Sequence, residues 1–156
     1  AVANANPTNY VLCWITVAVL VAGLIGFGMI TRSKRLHGSM AEAMIMTTIE
    51  QFLPVGAGGA VISAVLLKYA PDSLWILPGL WQVLVAIGIF ASLRILHKAM
   101  SLAGAWYFVS GVSVLVIASL SQELTPWMMA IPVSIGQFLI ATILWFASGR
   151  DHVREN

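Results

Sequence analysis

Charge is what this chain has least of. Only 9% of its 156 residues are charged, while 60% are hydrophobic. A water-soluble domain carries roughly 25% charged residues, so this chain lacks the polar surface to cover itself in water. In lipid that deficit is harmless, because a helix satisfies its own backbone groups. The formal net charge of +2 is too slight to recruit nucleic acid. Cysteine is almost absent. Cys13 stands alone, which excludes an intrachain disulfide, and no Cys/His spacing suits a metal. Catalytic signatures are missing too: no glycine-rich phosphate loop, no paired carboxylates, no nucleophile beside a base. No lysine lies in the middle of an apolar run, which excludes a retinal Schiff base. His37, His97 and His152 stand at the ends of runs, the wrong depth for bis-histidine haem ligation. No cofactor and no metal is expected. Asn6-Pro7-Thr8 carries proline where an N-glycosylation sequon forbids it.

What the chain has is apolar length. Five segments are long enough to cross about 30 Å of hydrocarbon: residues 10–30, about 40–69, 74–96, 102–120 and 127–147. The connections "TRSKRLHGS", "KYAPDS", "RILHKAMS" and "SLSQELTP" are short, so consecutive helices are antiparallel neighbours. The expected fold is therefore an all-α integral membrane protein in one transmembrane domain. Arg32, Lys34, Arg35, Arg94, Lys98, Arg150 and Arg154 fall on one side of a five-span arrangement, and only Lys68 on the other. Cytoplasmic loops collect Lys and Arg, which predicts the N-terminus outside and the C-terminus inside. Trp14, Trp75 and Trp127 then sit near the outer boundary, and Trp106 and Trp145 nearer the inner one. The first span lacks a preceding basic region and is followed by one, which reads as a retained anchor rather than a signal peptide. The expected location is a bacterial inner membrane.

Local signals mark the helix ends. Ser39 and Glu42 make a capping box, Thr125-Pro126 a cap before a proline, and Asp72 or Ser73 can cap the third span. From Ser39 to Tyr69 the second helix measures about 45 Å, longer than the hydrocarbon layer. Its start, "MAEAMIMTTIEQ", is expected at the cytoplasmic interface, with a bend near Pro54. Glu50 and Gln51 precede that proline. Glu50 is either solvated or paired with a basic loop, or it is the one carboxylate of a site facing the bundle.

Two patterns bear on packing. Ala18, Ala22 and Gly26 recur every fourth residue in the first span, as do Gly56, Ala60 and Ala64 in the second, with Gly59 and Ser63 alongside. Such stripes let membrane helices approach closely. The second pattern is a weak repeat. "PGLWQVLVAIGIFASLR" (78–94) resembles "PVSIGQFLIATILWFASGR" (132–150). Each has a proline, then a glutamine four or five residues on (Gln82 and Gln137), then Phe-Ala-Ser-x-Arg. This predicts two repeated hairpins, spans two and three matching spans four and five, with the first helix added at the edge. If both glutamines face the axis, they define with Trp81, Tyr107 and Ser110 a small polar pocket; otherwise they act as interhelical glue.

Three functions fit these patterns. The first is a non-catalytic membrane subunit, scaffold or sensor that holds a membrane partner protein, a second copy or a small apolar ligand against lipid. The second is a small-solute transporter or channel built as an oligomer. An intramembrane enzyme fits least, for want of any catalytic constellation.

Overall fold

The computed structural model describes the backbone of residues 9–17, 20, 38–94 and 98–154, and the side chains of 9–17, 20, 50, 53–93 and 98–146. Most of these residues are helical, with no strand among them. Five α-helices are present among the described residues. Helix α1 is described over 9–17; α2 spans Gly38–Tyr69, α3 Leu77–Ala91, α4 Met100–Ser121 and α5 Trp127–Arg154. Among the described residues, three stretches are long and apolar enough to cross a membrane: Pro71–Ala91, Met100–Ser121 and Trp127–Phe146. The apolar part of α2, Leu53–Tyr69, is a shorter helix by the same measure. Most of the first expected span lies outside the described residues. The chain divides into two compact units, residues 1–71 and 72–156.

In the first unit, α1 buries Tyr10 and Val11. The Tyr10 and Trp14 rings, one turn apart, stack at a tilt with centroids 6.3 Å apart. Helix α2 is a single 32-residue helix with Pro54 inside it, about 48 Å long. Proline has no N–H to offer the carbonyl four residues back, here that of Glu50. The side chains of the expected Ser39–Glu42 capping box lie outside the described ones, though the helix begins within a residue of it.

In the second unit, α3 is entered through a 3-10 segment, Pro71–Ile76. The expected α-helix from residue 74 therefore starts three residues late. Pro78 explains the delay. It has no N–H to donate to the Leu74 carbonyl. The N-cap is Ile76, without a side-chain cap bond, so neither Asp72 nor Ser73 caps this helix as expected. Helix α3 closes at Ser92, whose hydroxyl bonds back to the Gly88 carbonyl at 2.8 Å.

Helices α3 and α4 are antiparallel and touch along glycines. A Cβ on Gly79 would lie 2.6 Å from the Gly111 carbonyl oxygen and 2.9 Å from the Leu115 nitrogen. One on Gly111 would lie 2.9 Å from the Gly79 oxygen. At the other end, Gly104 leaves room for the Phe90 ring and Ile89. The buried residues of α3 include Gly79, Gln82, Ala86 and Ile89; those of α4 include Ala103, Gly104, Tyr107, Gly111, Val114 and Ala118. These intervals of three and four residues are the spacing of a knobs-into-holes seam.

Helix α4 ends at Gln122, a non-glycine residue in the left-handed region (φ 51), whose N–H reaches the Ala118 carbonyl at 2.7 Å. Helix α5 opens with the Thr125 carbonyl accepting from Met128 and the Pro126 carbonyl from Met129 and Ala130. It runs through Pro132 without ending. Its first half is held against α4, while Phe138, Trp145 and Phe146 beyond are exposed.

Candidate functional site

The prolines organise the polar chemistry of the second unit. Pro132 offers no N–H to the Met128 carbonyl one turn earlier. The Gln82 side chain supplies the missing donor from α3: its Nε2 lies 3.0 Å from the Met128 oxygen. The same nitrogen donates to the Pro78 carbonyl on its own helix at 3.1 Å. Gln82 is only 1% exposed. It can sit this deep because Gly111 leaves space beside its Cβ. A backbone carbonyl orphaned by proline is expensive in an apolar interior, so this glutamine mends α5 as well as linking it to α3.

A second group joins α4 to α5. Trp106 Nε1 donates to the Pro132 carbonyl at 3.0 Å. The Tyr107 hydroxyl donates to the Val133 carbonyl and accepts from Gln137 Nε2, both at 3.4 Å, the long edge of hydrogen-bonding range. The Ser110 hydroxyl folds back to the Tyr107 carbonyl at 3.3 Å. Tyr107 is buried, and its ring fills the space a side chain would need at Gly136.

The residues singled out from the sequence thus fall into separate places. Tyr107, Ser110 and Gln137 come together. Gln82 stands apart, on the α3 side, bonded to backbone rather than to Gln137. Trp81 is half-buried, Gln137 is exposed, and Glu50 is exposed in the other unit. The Gln51 side chain lies outside the described ones. The two glutamines differ for a simple geometric reason. Gln82 follows Pro78 by four residues, but Gln137 follows Pro132 by five, and one extra residue turns a side chain by about 100° around the helix. Gly136, four residues after Pro132, takes on α5 the buried position that Gln82 takes on α3.

The residues of the expected packing stripes differ in burial. Gly59 and Ser63 are buried, the Ser63 hydroxyl bonding to the Gly59 carbonyl at 2.7 Å. Gly56, Ala60 and Ala64 are exposed, and a Cβ on Gly56 would meet nothing within 4 Å. Ala18, Ala22 and Gly26 lie outside the described residues. The glycines that do hold helices together, Gly79, Gly104, Gly111 and Gly136, were missed. For the first three the signal is a seven-residue interval: Gly104, Gly111 and Ala118 on α4, Gly79 and Ala86 on α3.

Among the described residues no three His, Cys, Asp or Glu side chains gather as a metal site would require. No family model matches the chain, and no curated protein or solved structure matches it.

Proposed function

We propose that this chain is a non-catalytic subunit of a membrane assembly, which works by holding helices together in lipid and first of all by pairing with a second copy of itself. The observation that carries this reading is Gln137. It lies near the middle of the apolar stretch Trp127–Phe146 and is exposed, flanked by exposed Ser134, Phe138 and Ala141. A primary amide facing hydrocarbon is costly, and its single long bond to Tyr107 leaves most of its capacity unused. An amide is both donor and acceptor, so two copies related by a twofold axis satisfy each other. Small residues beside it, Ser134 and Ala141, allow close approach. The other polar groups of the second unit support the same reading. Gln82, Trp106 and Tyr107 all bind helix carbonyls, which is structural work.

In this proposal the chain sits in a bacterial inner membrane with five spans, its N-terminus outside and its C-terminus in the cytoplasm, as the basic residues favour. The second and third spans and the fourth and fifth descend from one duplicated pair. The test is the oligomeric state of the purified protein in bilayers: a dimer weakened by Gln137→Leu is expected, and a protein monomeric at every protein-to-lipid ratio would refute the reading.

A further inference from the structure

Helix α5 carries two unlike stripes on its exposed side. Trp127, Ile131, Phe138 and Trp145 form the first, and each is more than half exposed. Its tryptophans stand 18 residues apart, about 27 Å along the axis and close to the hydrocarbon thickness. Aromatic rings at both ends of one face suit the two headgroup layers. Ala130, Ser134, Gln137, Ala141 and Leu144 form the second, at intervals of four, three, four and three residues. That alternation holds one edge of a helix in line, as the a and d positions of a coiled coil do. Ala130 is half-buried and the other four are exposed. Three of the five are small, none is aromatic, and the amide stands at the centre. Bulky rings suit fluid lipid tails, whereas small residues suit the close approach of another helix.

The charges add a constraint on direction. Seven of the eight Lys and Arg residues share one side of the five-span arrangement, which favours a single orientation in the membrane. Two copies inserted alike are related by a twofold axis along the membrane normal. Their α5 helices then run parallel, and each residue beside the axis meets its own counterpart at equal depth.

We infer that two copies pair along the Ala130–Leu144 stripe as a parallel, in-register seam, with the two Gln137 amides facing each other and the Trp127–Trp145 stripe turned to lipid. This seam rests on the pairing proposed for Gln137 and specifies the face, direction and register that the pairing uses. The amide fixes the register. Sliding one helix by seven residues would set each Gln137 against Ala130 or Leu144, apolar side chains that offer it no hydrogen bond.

Disulfide crosslinking tests this on the full chain in liposomes, with Cys13 replaced by serine and one cysteine introduced at a time. Ser134, Ala141 and Leu144 sample the seam; Ile131, Phe138 and Trp145 sample the lipid stripe. A disulfide needs Cα atoms within about 7 Å, a distance that residues beside the axis meet and those of the other stripe do not. Covalent dimers are expected at Ser134→Cys, Ala141→Cys and Leu144→Cys, with loss of crosslinking at the other three sites. Photobleaching steps count dimers independently in unoxidised samples of the same variants. Dimers that crosslink along the aromatic stripe, or along neither, overturn the seam while pairing between copies stands. Dimers that crosslink only between Ser134→Cys and Ala141→Cys in mixed samples, never between like variants, overturn the parallel register. Monomers in every variant and in the parent remove the pairing itself, and the seam with it.

Discussion

Replacing Gly79 by alanine tests the closeness of α3 and α4 at its narrowest point. The new methyl carbon would stand 2.6 Å from the Gly111 carbonyl oxygen and from Leu115 Cγ. Ordinary contacts lie at about 3.5–4.0 Å, so the helices must part locally by about 1 Å. Two of the three nearest atoms are backbone, which cannot swing aside as a side chain can. Overpacking of this kind costs about 1–3 kcal/mol. Against it stands the better helix propensity of alanine, worth at most about 1 kcal/mol. The clash wins, and a net loss of about 1 kcal/mol is expected. Gly58→Ala is the control. A Cβ there meets nothing within 4 Å, so only propensity acts, and a gain of about 0.5–1 kcal/mol is expected. Reversible unfolding in mixed micelles, followed by circular dichroism, measures both. If Gly79→Ala proves as stable as Gly58→Ala, the close approach of α3 and α4 is wrong.

Three further outcomes are expected. Gln122 holds a left-handed conformation (φ 51) at the end of α4, so Gln122→Gly should stabilise the protein by about 0.5–1 kcal/mol and Gln122→Val should destabilise it, read in the same unfolding assay. Pro132→Ala restores an N–H for the Met128 carbonyl, so Gln82→Leu should cost less in that background than in the parent; a double-mutant cycle should give a coupling of about 0.5–2 kcal/mol, and strict additivity would break the link between these residues. With Cys13 replaced by serine, cysteines introduced at Ser33 and Ser121 should react with an impermeant maleimide from opposite sides of the membrane; labelling from one side would refute the five-span arrangement.

The helical class and the three long spans were legible because composition and run length alone decide them. The start of α3 was misjudged by three residues because hydropathy does not register a proline's missing N–H; Pro78 does. Gln82 and Gln137 looked equivalent in the repeat, yet a one-residue difference in distance from proline sets one inside and the other outside. The packing glycines of α3 and α4 do not form a four-residue stripe, because the α3–α4 seam follows a seven-residue interval. The bond from Gln82 to Met128 joins residues 46 apart in sequence, and no local pattern announces its partner. The proline at 132 was the one hint, since it tells which carbonyl is left without a donor.

The central claim, that α5 presents Gln137 to a second copy, is tested most directly by the dimer fraction of single-fluorophore protein in liposomes, counted by photobleaching steps across a dilution series in lipid. The expected result is a reversible dimer whose constant falls about 3- to 20-fold in Gln137→Leu, the worth of one interhelical hydrogen bond in a membrane. Tyr107→Phe removes the bond within the protomer but leaves the outer face intact, and should leave the dimer fraction unchanged. Monomers throughout the series, or a dimer indifferent to Gln137→Leu, would contradict the account.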